Sequence, residues 1–473
     1  MYENGLISHW MHHQHTSNVA DRVISLPLVK QDLIIVGSGL TGLWTAYYAK
    51  KKFPEWKISI LEAHTIGFGA SGRNGGWMST LLPGKPAIYA KRAQKRGEDG
   101  QVAVSRFQQV MIDSIYQALD VMRTEGIDAN QQQGGQVLYA STPAELSRLQ
   151  RTFTSARKFG YGVDDLKPLT GEEVQAEINL NSVLGGLKYH HTVSLDPAKL
   201  TLGLAETVQK MGVSIYEHTQ VNRIDMGLVT TESGTVSGDH IISAVDSYSN
   251  LMAGQIPGHN KRSVIPVNSS MIVTNPIADD YWQRIGWDQG QCLMDAAHTF
   301  IYAQRTADNR IAIGGRGSPY RYASGHSGTG EVDAKTVNVL RQKLQTMFPE
   351  LPFEVAHAWR GTIGVTRDWC AGIFYNKESG IGAVRGYAGH GVTATNLAGR
   401  TLVDRISEED TTLTKMPWND HNSGTWEPEP LRWLGVHSMY RLFEVADSYE
   451  KKRNRPDTSL IARAAGKIAG VDT

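Results

Sequence analysis

Residues Asp32 to Gly76 read DLIIVGSGLTGLWTAYYAKKKFPEWKISILEAHTIGFGASGRNGG. The apolar run Leu33–Val36 is typical of a short strand, and apolar residues recur at helical spacing after the glycine-rich turn that follows it. That turn contains the pattern GxGxxG at Gly37, Gly39 and Gly42. The first glycine permits a tight turn, the second lets the backbone approach a pyrophosphate, and the third lets the helix pack on the strand. The sequence therefore predicts a helix whose N-terminal amides face a phosphate group.

A second strand pattern follows the helix and ends in Glu62, 20 residues after Gly42. In dinucleotide folds a carboxylate at this distance accepts a hydrogen bond from a ribose 2'-hydroxyl. A lone GxGxxG indicates only a tight loop, but here the strand, the helix, the second strand and the acid all fall where the motif requires them. We therefore predict a site for FAD or NAD rather than NADP, because an acid at Glu62 suits a free 2'-hydroxyl.

The loop after Glu62 distinguishes FAD from NAD. Residues 67–76 include six glycines or alanines, so the loop has few side chains to form a core and lets backbone amides approach a large flat anion. The run Ile66–Gly76 resembles the D-amino-acid-oxidase-like family of flavoproteins, and within it the branch of the gamma-glutamylputrescine oxidases. The segments Thr306–Arg310 and Tyr387–Thr393 extend the resemblance along the chain. The resemblance implies FAD as the cofactor.

The family resemblance also implies an α/β fold, in which a Rossmann-like FAD-binding domain is interleaved with an α+β substrate or cap domain built on a mixed sheet. A chain of 473 residues is long enough for two or three packed units. The predicted segments are an N-terminal leader (1–30), FAD-binding parts (31–84, 194–260 and 356–410), substrate or cap parts (85–193 and 261–355) and a C-terminal helical extension (411–473).

Composition excludes several other classes of protein. The 48 basic and 47 acidic residues nearly cancel, so no electrostatic argument favours nucleic acid or an anionic membrane. Only Cys292 and Cys370 are present, and no apolar run reaches the roughly 20 residues that span a bilayer, so we predict a cytoplasmic protein. The histidines His12, His13 and His15 lack cysteine or carboxylate partners in sequence, and we predict no metal site.

A second fingerprint lies near the end of the family-like region. A strand pattern at Ile381–Arg385 leads into Tyr387–Thr393, which reads YAGHGVT, and a helical pattern follows to Ile406. A helix that begins here points its N-terminal amides at the ligand, where they stabilise the negative charge that flavin reduction places near N1 and O2. We expect His390 to tune the flavin or relay protons.

The candidate site residues follow from these motifs and from the resemblance, which places Val221 beside the adenine. The predicted cofactor contacts are Gly37, Gly39, Leu40, Thr41, Gly42, Glu62, Ala63, Gly69, Ala70, Ser71, Arg73, Asn74, Gly75, Gly76, Trp77, Val221, Ala244, Gly361, Gly389, His390, Gly391, Val392 and Thr393. The predicted catalytic residues are His390, Arg360 and Arg316, the two arginines as binders of an anionic end of the substrate.

The expected reaction is oxidation of a C–N bond. The protein must hold the C–H bond beside a neutral amine nitrogen against flavin N5, and the imine product is hydrolysed to an aldehyde plus amine or ammonia. The expected partners are a small primary or secondary amine and an electron acceptor, O2 or another. One alternative is an amino-acid or aminophosphonate oxidoreductase, for which an arginine-lined pocket is the discriminating feature. Another is an FAD-bearing subunit or scaffold of a larger assembly.

Two further expectations depend on comparison with the family, and a third depends on the spacing of apolar residues in the tail. Some members tether FAD through a cysteine, but Trp359–Val365 contains none, so we predict non-covalent FAD. Sarcosine-oxidase-like members use a lysine to activate oxygen, and the absence of lysine from Arg262 to Tyr320 puts oxidase activity in doubt relative to a dehydrogenase. In the tail, the spacing of Leu431, Leu434, Met439, Leu442 and Phe443 predicts a helix packed on the body, in preference to a membrane-surface or partner helix.

Overall fold

A computed structural model describes residues 2–12, 26–315, 317, 319–326 and 329–470. The strands are β1 (Glu3–Asn4), β2 (Gln31–Val36), β3 (Ile58–Leu61), β4 (Trp77–Met78), β5 (Gln136–Ala140), β6 (Leu166–Thr170), β7 (Gly185–Tyr189), β8 (Val193–Ser194), β9 (Ser214–Tyr216), β10 (Val221–Asp225), β11 (Leu228–Thr231), β12 (Gly234–Ser243), β13 (Ala253–Gly254), β14 (Val264–Thr274), β15 (Cys292–Asp295), β16 (Ile301–Arg305), β17 (Ile311–Gly315), β18 (Val355–Thr366), β19 (Gly372–Asn376) and β20 (Ile381–Arg385). The helices are α1 (His9–His12), α2 (Leu40–Lys52), α3 (Pro86–Lys95), α4 (Gly100–Glu125), α5 (Pro143–Lys158), α6 (Gly171–Glu177), α7 (Pro197–Lys210), α8 (Asp279–Ile285), α9 (Ala334–Met347), α10 (Gly391–Ile406), α11 (Thr412–Lys415), α12 (Leu431–Lys452) and α13 (Leu460–Ala469).

The first sheet has a parallel centre, in which β2 lies between β12 and β3 and β3 also pairs with β9. Strand β12 pairs with β11 over its first residues and with β20 over its last. Every residue of β2 except Asp32 is buried, as expected for a central strand covered on both faces. Helices α2, α4, α7 and α10 cover one face, and α2 packs against α10. Residues of β10 and β11 pack on the other face. The parallel centre with its helices agrees with the Rossmann-like unit expected from the sequence.

The second sheet is mixed and has nine strands in the order β1-β18-β14-β17-β16-β15-β5-β7-β6. Its longest pairing is the antiparallel ladder of β14 with β18. Strands β16 and β17 form an antiparallel hairpin whose turn contains Ala307–Asn309. Residues of β5, β15, β16 and β17 form an apolar core with α8 and α9, so this sheet has a core of its own. The two sheets thus alternate along the chain, as the interleaved architecture requires.

The boundaries between the predicted segments stay a prediction, although two features bear on them. Strand β18 belongs to the mixed sheet up to Thr366 and so crosses the predicted boundary at residue 355. Strand β1 and helix α1 come from the predicted leader, and Trp10 and Met11 are buried there in a cluster that includes Trp359. His13 and His15 lie outside the described residues.

The C-terminal helix α12 packs on the body, but not through all the residues that its sequence pattern suggests. Phe443 and Ala446 are buried against α13, and Val436 packs near Tyr320 and Trp426. The prediction was wrong for three leucines, which are between two-fifths and two-thirds exposed: Leu431, Leu434 and Leu442. The reason is that residues 436, 443 and 450 repeat every seventh position and define a buried stripe on another side of the helix. None of the described helices is both long enough and apolar enough to cross a membrane.

Candidate active site

Two cavities lie between the sheets, and they share part of their lining. The first cavity, about 520 Å³, opens at the carboxyl ends of the parallel strands, where Val36, Leu61 and Ala244 follow or end β2, β3 and β12. Open α/β sheets bind nucleotides at this edge. The second cavity, about 470 Å³, is lined by residues of the cap, the mixed sheet and helix α12.

The GxGxxG turn forms one wall of the first cavity and packs very closely. Gly37 has φ +105°, a conformation that side chains disfavour. A Cβ atom on Gly42 would lie 2.0 Å from the carbonyl oxygen of Gly37, so α2 sits against the turn with no room for a side chain. The Leu40 amide donates to Ser71 Oγ at 2.9 Å. This bond joins the turn to the loop of residues 67–76.

Glu62 lines the first cavity directly after β3. Its Oε2 accepts hydrogen bonds from the amide and hydroxyl of Ser38 at 2.8 and 2.9 Å, and its Oε1 accepts one from the His64 amide at 2.9 Å. The carboxylate is therefore held in place by neighbours on two loops, in the position where a ribose hydroxyl is bound in dinucleotide folds.

Arg73 anchors the glycine-rich loop and is not a free positive charge. Its guanidinium donates to the carbonyl of Phe68 at 2.8 Å and, at 3.3–3.4 Å, to the carbonyls of Leu6, Thr329 and Arg360. Burial lowers the pKa of this guanidinium from its usual value. The loop is thus fixed to the mixed sheet and to the N-terminal segment.

The N-terminus of helix α10 lies where the two cavities adjoin. The residues that line both cavities are Ala70, Arg73, Asn74, Ile363, Gly389 and Val392. His390 immediately precedes the helix and lines the second cavity, and Gly391 lines the first. The hydroxyl groups of Tyr387 and Thr41 lie 2.9 Å apart, which joins the second fingerprint to the first. The helix-end amides therefore face the junction, where they favour negative charge.

Other charged groups of the first cavity are held by neighbouring backbone or rings. Asp246 accepts hydrogen bonds from the amides of Gly364 and Gly386 at 2.8 and 2.7 Å, and burial raises its pKa. His326 stacks on Tyr248 with ring centres 4.6 Å apart, and burial lowers its pKa to about 4. His326 is therefore neutral at pH 7. Sequence reasoning missed these residues because no motif marks them.

The second cavity has aromatic walls and a charged lining of one sign. Its aromatic residues are Trp77, Phe300, Tyr302, Trp369, Tyr440 and Phe443. Its basic residues are Arg73, Lys85, Arg148, His298 and His390. No carboxylate among the described residues lines this cavity. The indole Nε1 of Trp77 is buried and hydrogen-bonds to no described residue, so it is a donor that a ligand can satisfy.

The structure brings most of the predicted site residues to one cavity or the other. Those that line the first cavity alone are Gly37, Gly39, Leu40, Thr41, Glu62, Ala63, Gly69, Ser71, Val221, Ala244, Arg360 and Gly391. Those that line the second alone are Gly75, Trp77, Gly361 and His390. Gly42, Gly76 and Thr393 line neither cavity, because they lie behind the walls in packed positions. Arg316 lies outside the described residues.

Arg360 is placed differently from a substrate anchor. It lines the first cavity but not the second, and its guanidinium donates to the Glu331 carbonyl at 2.9 Å and to Asn268 Oδ1 at 3.0 Å. The basic residues of the second cavity that sequence reasoning missed are Lys85, Arg148 and His298. They lie outside both fingerprints, and Arg148 and His298 are far from them along the chain, so the motifs could not assign them.

The described residues fit FAD. A glycine turn and a glycine-rich loop leave space for a nucleotide, Glu62 is placed for a ribose, and a helix N-terminus faces the adjoining cavity where a flavin ring would be reduced. Gly69 and Gly389 add to this space, since a Cβ atom on either would be no closer than 3.6 Å to its nearest neighbour. Side chains at these positions would fill the cavity and not the core.

Comparison with known proteins agrees with this geometry. The family model DAO, described as FAD dependent oxidoreductase, matches residues 32–405. Gamma-glutamylputrescine oxidoreductase of Escherichia coli (strain K12) is 26% identical over 388 residues, which cover 79% of this chain and 83% of that protein. The probable oxidoreductase OrdL of Haemophilus influenzae is also 26% identical, with 81% and 84% of the two chains covered.

The solved structure of glycine oxidase from Geobacillus kaustophilus has a TM-score of 0.66 at 19% identity and covers 84% of this chain and 99% of its own. L-proline dehydrogenase from P. horikoshii has the same TM-score at 18% identity, with 83% and 97% covered. These structures share the fold. The chain therefore belongs to the DAO family of FAD-dependent oxidoreductases.

Proposed function

We propose that the protein oxidises the C–N bond of a small primary or secondary amine to an imine, as the similarity to gamma-glutamylputrescine oxidoreductase suggests. The observation that carries the proposal is the second cavity, which adjoins the first at the N-terminus of α10 and has walls of aromatic side chains. Bound FAD supplies the two-electron acceptor for this reaction. A cavity of about 470 Å³ is large enough for a small amine.

The chain's own residues have three tasks in this scheme. The N-terminal amides of α10 stabilise negative charge at the junction of the cavities. The aromatic walls hold the substrate and lower the local polarity, which favours the neutral amine that the reaction needs. His390 lies beside the junction on the substrate side and is our candidate for holding or relaying the amine proton.

The basic lining favours one class of amine. A diamine dication in the second cavity meets Lys85 and Arg148 and no carboxylate of the described residues. An amine that also carries an anionic group, such as an amino acid or a gamma-glutamyl amine, matches this lining. An arginine in the pocket, here Arg148, is also the feature expected of an amino-acid or aminophosphonate oxidoreductase. We therefore retain that activity as the second candidate function.

Two properties of the cofactor site remain proposals. We propose non-covalent FAD, since both Cys292 and Cys370 are buried and neither lines a cavity. We propose either O2 or another molecule as the electron acceptor. The segment that carries the oxygen-activating lysine in sarcosine-oxidase-like proteins contains no lysine in this chain, but Lys85 lines the second cavity. A cytoplasmic location stays a prediction from the sequence.

Anaerobic mixing of the purified yellow protein with a panel of amines tests the proposal. The panel holds gamma-glutamylputrescine, putrescine, glycine, proline and aminomethylphosphonate, and the flavin absorbance is followed before and after air is admitted. Bleaching by an amine supports amine oxidation, and the rate of recolouring in air distinguishes an oxidase from a dehydrogenase. A protein with bound FAD that no amine bleaches contradicts the proposal and favours a flavin-bearing subunit of a larger assembly.

A further inference from the structure

Arg148, on helix α5, lines the second cavity but not the wall that the two cavities share. Its side chain is 11% exposed. Its Nε donates to the carbonyl of Ala296 at 2.9 Å, and its Nη1 donates to Glu450 Oε2 at 2.7 Å. Its Nη2 hydrogen-bonds to no described residue. A guanidinium held in this way has two N–H groups left for a ligand.

The C-terminal extension fixes the orientation of this guanidinium. Glu450, on α12, is buried, with its side chain only 2% exposed. Burial by itself raises the pKa of this carboxyl group, but hydrogen bonds from His298, the Ser459 amide and Arg148 outweigh burial and lower the pKa to about 2. Thr458 Oγ1 also lies 3.4 Å from Nη1 of Arg148. The carboxylate stays ionised and holds the guanidinium in one position.

Helix α12 also forms part of the wall next to Arg148. His298 stacks on Phe443 with ring centres 5.4 Å apart, and its Nε2 lies 3.0 Å from Arg148 Nη1. Met439 and Tyr440 of the same helix line the second cavity. The family match ends at residue 405, so this wall is built by a part of the chain that the DAO model does not cover.

A metal ion is a less suitable occupant of this corner. His298, Asp447 and Glu450 have potential ligand atoms within 4.8 Å of one another. However, Asp447 already accepts hydrogen bonds from the amides of His298 and Thr299 and from the Thr299 hydroxyl. Arg148 supplies the positive charge that balances Glu450. The group that remains available for a ligand is therefore the Nη2 donor of Arg148, which suits an anion.

We propose that Arg148 binds an anionic group, a carboxylate or phosphonate, at the end of the substrate remote from the reacting amine, and that α12 sets this specificity by holding Arg148. This proposal rests on the proposed amine oxidation for the identity of the substrate. Binding of the anionic group can nevertheless be measured without turnover, so the two proposals can fail separately.

The test compares three variants of the FAD-loaded full chain. The double variant Arg148→Gln/Glu450→Gln removes both charges, so that neither is left buried and unpaired. Arg148→Lys keeps the charge but loses the fork of donors. Arg151→Gln is the matched control, because Arg151 lies on the same helix and binds Asp457 in the α12–α13 connection but does not line either cavity.

Calorimetric titration uses butyrate, butylphosphonate and butyramide, which have short alkyl chains of similar size and differ in the charge of the head group. We expect the wild type and Arg151→Gln to bind an anion more tightly than butyramide. The double variant should lose about 10- to 100-fold in anion affinity with little change for butyramide, since a hydrogen bond to a charged group has about this value. Arg148→Lys should fall between them. The preferred anion, butyrate or butylphosphonate, identifies the group.

The proposal is overturned if the wild type does not bind the anions more tightly than butyramide. It is also overturned if the double substitution lowers the affinity for butyramide as much as the affinity for butyrate. With an amine that bleaches the flavin, the double variant should raise the concentration for half-maximal reduction and leave the limiting rate nearly unchanged. Failure of every amine to bleach the flavin would contradict amine oxidation alone, and the butyrate series would still decide the role of Arg148.

Discussion

The two cavities differ in the kind of groups that line them. The first includes a wall that presents backbone, made of a glycine turn, a glycine-rich loop and the carboxyl ends of parallel strands. The second is formed by large side chains from the cap, the mixed sheet and the C-terminal helix α12. A wall of backbone tolerates few substitutions, because an added side chain either meets the main chain, as at Gly42, or takes up space in the cavity, as at Gly69. A wall of side chains can change its ligand while the fold is preserved.

The cavities also differ in charge. The first has both signs, with Glu62 and Asp246 as well as Arg73 and Arg360. The charged side chains among the described residues that line the second are all basic. Charged side chains of both signs, held by hydrogen bonds to the backbone, suit a large cofactor that carries both phosphate and hydroxyl groups. A lining of one sign instead selects between small substrates, so substitutions in the two regions should have separable effects.

The largest effect is expected where the glycine turn behind the first cavity is most tightly packed. Gly42→Ala places a Cβ atom 2.0 Å from the carbonyl oxygen of Gly37, so helix α2 and the turn must move apart to accept it. Overpacking typically costs about 1–3 kcal/mol, and we expect this substitution to reach or exceed the top of that range. The purified variant should have little FAD, as measured by its absorbance ratio, and a lower apparent Tm.

The control is Gly435→Ala on α12, where a Cβ atom has no neighbour within 4 Å. Alanine is the better helix former by about 1 kcal/mol, so this variant should be as stable as the wild type or slightly more stable. A Gly42→Ala protein with normal FAD content would show that the turn can rearrange. It would contradict the claim that the backbone wall tolerates fewer substitutions than the side-chain wall.

The second expected effect concerns the charges that hold α12 against the second cavity. The pKa of Glu450 falls from an ordinary 4.5 to about 2 in the folded protein. Its contribution to stability is therefore fully present above pH 4.5 and is lost as the pH falls towards 2. A shift of this size corresponds to about 3 kcal/mol for a buried group. Apparent Tm measured from pH 7 to pH 3 should thus fall more steeply for the wild type than for Arg148→Gln/Glu450→Gln.

Asp280→Asn/Arg284→Gln provides the reference for this comparison, because it removes an exposed ion pair on α8 and leaves Glu450 and its partners unchanged. Its Tm should decline with pH in parallel with the wild type. If the double variant also declines in parallel, other carboxylates control acid unfolding and the Glu450 pair does not distinguish this region from the first cavity.

The sequence was sufficient to predict the parts of the first cavity wall that the two fingerprints form. Gly37, Gly39 and Glu62 lie in one continuous βαβ unit, so their spacing along the chain determines their spacing in the fold. The second fingerprint worked for the same reason, since β20, the turn at Gly389 and α10 are consecutive. Local chain geometry positions the backbone groups that bind a cofactor.

The same reasoning could not find the wall around Arg148. Arg148 meets Glu450 across 302 residues of chain and meets His298 across 150, and no local pattern records such pairings. The helical spacing in the tail predicted α12 but not which side faces the body, because apolar residues lie on two sides of that helix. The burial of Trp10 in the N-terminal segment has no local signal either, since it packs in a cluster with Trp359, a distant neighbour in the chain.

A smaller effect is expected for the carboxylate of the first cavity. Glu62→Gln keeps the shape of the side chain but weakens its hydrogen bonds with the Ser38 and His64 donors and with a ribose. We expect the affinity for FAD to fall about 10- to 100-fold, as measured by fluorescence titration of the apoprotein. At saturating FAD the half-saturating amine concentration should be unchanged, because Glu62 does not line the second cavity.

Glu55→Gln is the control for this charge change, since Glu55 is exposed in the turn before β3. It should leave FAD affinity as in the wild type. A Glu62→Gln variant that binds FAD normally but requires more amine would reverse the assignment of the two regions.

The smallest expected effect tests the boundary between the regions. The sequence assigns Trp77 to the cofactor, whereas the residue lines only the second cavity, with a buried Nε1 that hydrogen-bonds to no described residue. Trp77→Phe removes this donor and keeps an aromatic wall. Because a neutral hydrogen bond has a net value of about 1 kcal/mol, we expect about 2- to 10-fold weaker binding of the amine and little change for FAD.

Trp418→Phe separates this effect from the loss of an indole as such. Trp418 Nε1 is likewise buried without a hydrogen bond to a described residue, but its side chain lies in the main core and lines neither cavity. This variant should bind both ligands as the wild type does. If Trp77→Phe weakens the binding of FAD and not of the amine, Trp77 contacts the cofactor, and part of the second cavity belongs to the cofactor site. If it weakens neither, the buried donor is no more than a packing feature, like that of Trp418.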